Sequence, residues 1–161
     1  MSGLINGLPP FGDTGSEILI LGSFPSVLSR KAEFYYGNPL NRFWNTLAGY
    51  FGENTPQTAE DKKRFLLSHR IALWDIVTEC EISGSKDSAI KNFKVADIKS
   101  FLQNKKIGFI ILNGRKAYTI FSEHFKDLGV PYERVQSTSP ANTHFKKEQW
   151  FDVLSRAFGR A

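Results

Sequence analysis

The chain has 161 residues, 41% hydrophobic and 23% charged, which suits one compact domain over residues 1–161 and leaves too little for two. Lys and Arg outnumber Asp and Glu by 21 to 16, and the formal charge of +5 favours polyanionic partners over acidic proteins. A single cysteine, Cys80, excludes an intramolecular disulfide, and with His69, His124 and His144 scattered it has no zinc-ligand spacing, so neither a metal nor a cofactor is expected. No apolar run approaches the roughly 20 residues that span a bilayer, and MSGLINGLPPFGDTGSE lacks the basic-then-apolar pattern of a secretory signal. These features predict a reduced, intracellular, cytoplasmic protein, monomeric and without a membrane partner.

Apolar runs alternate with amphipathic stretches, as when helices cover both faces of a mostly parallel sheet. Ile18–Leu21 reads as the first strand, followed from Ser23 to Leu40 by a long segment with little periodicity. Asn41 is placed to cap a helix carrying Phe43, Trp44, Leu47, Tyr50 and Phe51, which Gly52 stops. Thr58 opens a second helix with Glu60 and Asp61 in its first turn and Phe65 and Leu66 on its buried side. A short strand at Ile71–Trp74 leads to a polar stretch, Cys80 to Phe93, read as a second long loop, and then to a helix from Val95 to Asn104. Ile107–Leu112 is apolar throughout, like a central strand buried on both faces, and Asn113-Gly114 turns it into a helix from Arg115 to Leu128, ended by Gly129. A fourth strand at Tyr132–Gln136, the loop STSPANTHF and a helix from Glu148 to Phe158 complete a three-layer αβα sandwich around a mostly parallel four-stranded sheet.

In such a sheet ligands lie beyond the carboxyl ends of the strands, so the loops Gly22–Asn41, Asp75–Ser88, Asn113-Gly114 and Ser137–Asn142 should converge on the site. None carries the glycine pattern of a dinucleotide fingerprint or a phosphate-cradling loop, which disfavours a generic nucleotide-binding domain. The first loop sets Tyr35 and Tyr36 near Arg30, Lys31 and Arg42, residues able to form an aromatic wall for a flat base beside a phosphate track, or else core packing and a solvated face. Asp75 can orient a water as a general base or cap a turn, and Asn113 can meet a base edge or close its Asn-Gly turn. Asp87 and Ser88 lie where a side chain reaches a base or sugar, or form a solvated turn. Among the histidines, only His144 stands near the site; His69 and His124 read as ordinary exposed residues.

The runs GSFPS and FYYGNPLNRFW, the later Leu73-Trp74-Asp75, the segment GSKDSAI and the terminal STSPAN resemble, in order and over nearly the whole chain, the uracil-DNA glycosylase superfamily, in particular its hypoxanthine branch. Pro39, Asn41, Phe43 and Trp44, in the pattern N-P-x-N-x-F-W, are the most specific part. The resemblance implies an αβα domain that flips a damaged nucleotide out of DNA and hydrolyses its N-glycosidic bond without a metal, leaving an abasic site. Fixed hydrogen-bond donors to the departing base are the chemistry such a reaction needs. Two departures stand out: uracil-removing relatives place Asn or Asp before the first proline, here Phe24, and His or Asn before the last, here Ser139. Both resemble the hypoxanthine branch, which implies a catalytic role for Asn41, with Asn38 beside it.

By the same resemblance Ser23, Phe24, Tyr36, Asn113 and Ser139 surround the base, with Tyr36 stacking on it. Asn41 can equally serve as a plain helix cap. The loop after the fourth strand suits a DNA clamp: Ser137, Ser139 and backbone amides grip phosphates, Asn142 or Thr143 fills the gap left by the flipped nucleotide, and Lys146 and Lys147 add attraction of any sequence. The competing reading of that loop is a proline-set turn with solvated lysines. Damaged DNA is the expected partner. Uracil is the second candidate base, and a silent lesion-binding module is the alternative class.

Overall fold

The computed structural model describes residues 3–159. In chain order the elements are β1 (Ile5–Asn6), β2 (Ile18–Gly22), α1 (Val27–Ala32), α2 (Phe43–Phe51), α3 (Ala59–Ser68), β3 (Ile71–Asp75), β4 (Val77–Glu81), β5 (Lys91–Val95), α4 (Ile98–Leu102), β6 (Phe109–Asn113), α5 (Arg115–Phe125), β7 (Tyr132–Val135) and α6 (Lys147–Gly159). The central sheet has the order β3-β2-β6-β7, and every neighbouring pair is parallel. A second, antiparallel sheet, β1-β4-β5, lies beside it.

The unbroken apolar strand β2 is buried along its whole length because both of its faces are covered. Alternation assigns the faces: Ile18 and Ile20 pack with Phe43, Leu47, Leu66, Trp150 and Leu154 of α2, α3 and α6, while Leu19 and Leu21 pack with Ile98, Ala117 and Phe121 of α4 and α5. The layers and the parallel sheet expected from the sequence are therefore present. Helix ends follow local chemistry. Thr58 Oγ1 accepts from the Asp61 N–H at the start of α3, and Gly52, at φ +68°, closes α2.

Three stretches differ from the sequence reading. The Cys80–Phe93 stretch, expected to be a loop, contributes the end of β4 and the start of β5, joined through a short 3-10 turn at Asp87–Ala89. Most of β5 faces solvent, so no apolar alternation marks it; its pairing instead sets Lys94 opposite Glu79 and Lys91 opposite Glu81. The helix expected from Val95 begins at Ile98, where the Asp97 carboxylate accepts from the Ser100 N–H, and Val95 ends β5. Within the aperiodic Ser23–Leu40 segment stands the short helix α1, capped by Ser26 and too brief to show an amphipathic repeat.

Candidate active site

The strands β2 and β3 run in register so that Gly22 lies opposite Asp75 at their carboxyl ends. A side chain at Gly22 has no room: a Cβ there would stand 2.5 Å from Asp75 Oδ1 and 2.9 Å from the Tyr36 hydroxyl. The glycine thus lets a carboxylate and a phenol meet over the strand ends. Asp75 is 4% exposed and its Oδ2 has no hydrogen-bond partner among the described residues, while the buried Tyr36 hydroxyl faces the Asn113 side chain. Burial, then the nearby charge of Asp87, pushes the Asp75 carboxyl up to about 7, against a lowering hydrogen bond from the Gly22 backbone. Burial, then the Asp75 charge, likewise raises the Tyr36 hydroxyl well above its ordinary value, against a lowering hydrogen bond with the Asn113 side chain. A buried carboxylate oxygen and a phenol at one spot over the strand ends can receive the polar groups of a ligand.

Tyr36 reaches this position from the segment between α1 and α2. Its backbone is left-handed, at φ +53°, and its ring lies flat on Phe43 with centroids 4.0 Å apart. Tyr35 turns the other way into the core and donates its hydroxyl to the Pro9 carbonyl, so the two tyrosines divide the roles left open by the sequence. Asn38 Oδ1 accepts from the Leu40 N–H and Asn41 Oδ1 from the Phe43 N–H, both at 2.9 Å. These bonds fix the amides by their oxygens and leave both NH2 groups without a partner among the described residues. Arg42, not Asn41, occupies the capping position of α2, and it makes no side-chain cap.

The remaining candidates separate into several settings. Ser23 donates its hydroxyl to Asp87, which ties the end of β2 to the turn before β5 and brings Asp87 toward Asp75. Phe24, expected against the base, is 8% exposed and packs in the core with Cys80 and Ile90, its ring against Gly7; the residue before the proline serves packing here. Asn113 is buried, donates to Thr138 Oγ1 at 3.0 Å and accepts from the Thr138 N–H at 3.1 Å, and its side chain also meets the Tyr36 hydroxyl. Thr138, which the sequence did not single out, also accepts the Arg42 N–H on its carbonyl, joining β6, the last loop and α2. Only the tight Asn-Gly turn facing a buried threonine hinted at that latch.

Arg42 donates to the Ser139 carbonyl at 3.0 Å and lies over the Phe145 ring, a strut between α2 and the last loop rather than a free phosphate ligand. Within that loop Ser137 Oγ accepts from the Ser139 N–H, Ser139 Oγ from the Ala141 N–H, and the Asn142 amide is held by Ser137 and His144. Arg30 donates to the Gly84 carbonyl. Lys31, Thr143, His144, Lys146 and Lys147 are exposed. His69, by contrast, is half-buried, stacked on Phe51 and hydrogen-bonded to Glu53. Among the described residues no cluster of three His, Cys, Asp or Glu side chains is placed to hold a metal, and no helix is long and apolar enough to cross a membrane. A hollow of about 640 Å³ beside Glu17, His69 and Arg70 lies at the opposite, amino end of the sheet and contains none of these candidates.

A parallel α/β sheet that gathers amides, a buried carboxylate and an aromatic ring at its strand ends, with no glycine-rich phosphate loop, fits a domain that handles a base rather than a nucleotide cofactor. The family model described as the Uracil DNA glycosylase superfamily matches residues 9–158, and the chain belongs to that superfamily. It is 37% identical over 145 residues to a Methanosarcina acetivorans protein named hypoxanthine DNA glycosylase, covering 89% of this chain and 91% of that one. A Methanosarcina barkeri protein of the same name is 29% identical over 157 residues, covering 93% and 98%. The solution NMR structure of an M. acetivorans protein described as a uracil DNA glycosylase superposes with a TM-score of 0.84 at 33% identity, covering 96% of this chain and 99% of the other.

Proposed function

We propose that this chain is a monofunctional DNA glycosylase that extrudes a deaminated base, hypoxanthine first, and hydrolyses its N-glycosidic bond. The observation that carries the reading is the likeness, over nine-tenths of the chain, to two proteins named hypoxanthine DNA glycosylase. The site geometry supports it. Bond cleavage leaves positive charge on the sugar and negative charge on the departing base, so pre-placed donors and one acceptor for water are what the active site must supply. Asn41 and Asn38 present amide NH2 groups whose oxygens are already held, so neither must reorient during reaction. Asp75, with its free Oδ2, orients the attacking water, and a carboxyl near 7 suits a proton acceptor working at neutral pH.

Tyr36, its ring backed by Phe43, supplies a planar face for the base to stack on. Ser23, next to Gly22, borders the same space, and Ser139, Lys31, Thr143, Lys146 and Lys147 serve the DNA backbone. The reading includes a single domain acting as a monomer on damaged DNA inside the cell. Uracil is the second substrate, favoured by the structural relative described as a uracil DNA glycosylase. Duplexes carrying one hypoxanthine, uracil, xanthine or ethenoadenine, incubated with the protein and cleaved with alkali, test it. Strand breaks at hypoxanthine ahead of the other three support the reading; binding without breaks at any of them would instead mark a silent lesion binder.

A further inference from the structure

Beyond the strand-end site, a cleft of about 350 Å³ opens between the start of α5, the end of β7 and α6, beside the loop that leaves β7. Its lining includes Arg115, Arg134, Gln136, Ser137, Asn142 and Gln149, and no carboxylate. Both arginines are exposed, and neither forms an ion pair among the described residues; Arg134 merely lies over the Tyr118 ring.

Hydrogen bonding within the lining has a definite polarity. Gln149 Oε1 accepts from the Gln136 N–H at 2.6 Å, and Gln136 Oε1 accepts from the Lys146 N–H at 2.7 Å. A backbone N–H can be received only by the oxygen of an amide, so both glutamines are oriented with their NH2 ends unengaged. Asn142 Oδ1 is likewise occupied by the His144 N–H. Ser137 Oγ already accepts from Ser139, and its own proton is free. The side-chain acceptors of these three amides are thus consumed internally, while two guanidinium groups, two amide NH2 groups and a hydroxyl remain as donors. Such a lining matches an oxygen-rich anion and offers little to a neutral or cationic ligand.

We propose that this cleft takes one backbone phosphate of the DNA strand that carries the lesion, and that Arg115 and Arg134 fix the register of that strand while the base enters the neighbouring site. The assignment rests on the glycosylase reading for its ligand and adds a phosphate site in which Arg115 and Arg134, outside the last loop, join that loop's Ser137. A phosphodiester fits because Ser137 belongs both to the cleft and to the loop over the strand ends, so a phosphate bound here stays continuous with a nucleotide extruded there.

The test compares the wild type with R115A/R134A and R115K/R134K. Binding is measured at several salt concentrations to duplexes containing 2′-fluoro-deoxyinosine, which resists hydrolysis, with the phosphates around it replaced one at a time by neutral methylphosphonates. In the wild type, neutralising one linkage should weaken binding about tenfold, a loss absent from R115A/R134A because its partner is already gone. The salt slope of R115A/R134A should be shallower by about 0.9, the amount expected for one phosphate, and R115K/R134K should recover it. Equal losses at every linkage in wild type and R115A/R134A, with unchanged slopes, overturn the proposal. Failure of the glycosylase reading shows separately, as no base release from ordinary deoxyinosine duplex by a wild type that still binds; a wild type that binds no duplex removes the phosphate site as well.

Discussion

Replacing Asp75 by Asn separates the electrostatic burden of a buried carboxylate from its part in the reaction. The group is 4% exposed, has one unpartnered oxygen and ionises at about 7 rather than 3.8. Because the folded value lies above the unfolded one, the folded chain retains this proton over a range in which the unfolded chain has lost it. Stability linked to the group is therefore full below 3.8, declines as pH rises, and levels off above about 7. Between about pH 5 and pH 8 the loss amounts to about 2–3 kcal/mol, from about 1.4 kcal/mol for each tenfold change in proton affinity. The Asp75→Asn variant holds no titrating group there, so urea denaturation at both pH values should show its advantage over wild type growing by that amount. In the same variant base release should be slow and flat with pH, whereas the wild-type rate rises through about pH 7 as the carboxylate forms. Parallel stability curves for the two proteins would refute the electrostatic argument, and an unimpaired rate would refute the chemical one.

The Asn41→Ala variant should lose about 3–4 kcal/mol of transition-state stabilisation, a rate loss of several hundredfold, while its melting changes by only about 1 kcal/mol for the bond to Phe43; single-turnover rates and thermal melts together check this, and a fully active variant excludes a catalytic amide. For Tyr36→Phe, which removes only the hydroxyl that faces Asn113, a stability change of no more than about 1 kcal/mol is expected, whereas Tyr36→Ala, losing the stack on Phe43, should cost about 3 kcal/mol or more, as urea denaturation would show. Changing Gly114 to Ala puts a side chain at φ +98° with its Cβ 3.2 Å from that of Ser137, and denaturation should show a loss of about 1–3 kcal/mol. Removing the exposed charges of Lys146 and Lys147 should weaken binding to every duplex and flatten the salt slope by up to about 1.8, with base release at saturating protein unaffected.

How far the sequence reaches depends on where its signals are local. Four parallel strands were visible because Ile18–Leu21 and Ile107–Leu112 carry apolar residues on both faces, and helices α2 and α3 because Gly52 and Thr58 mark their ends. The β4–β5 hairpin was hidden: its outer strand is exposed and sets lysines opposite glutamates across the strands, a register that composition reports only as polarity. In the site, the strand-end rule brought Tyr36, Asp75 and Ser23 to one place before any geometry was known. It could not show that Phe24 turns into the core or that Asn113 is held by Thr138, because both outcomes depend on partners distant in sequence. The same holds for Arg42, whose charge suggested phosphate and whose guanidinium instead braces the last loop.

The most direct test of the central claim is single-turnover incubation of the full chain with a duplex containing one deoxyinosine, following free hypoxanthine by chromatography and abasic sites by alkali cleavage in the same samples. Both products should appear together in a one-to-one ratio, at a rate far above that of the Asn41→Ala variant measured in parallel. Abasic sites absent throughout, with the duplex bound and intact, would contradict it.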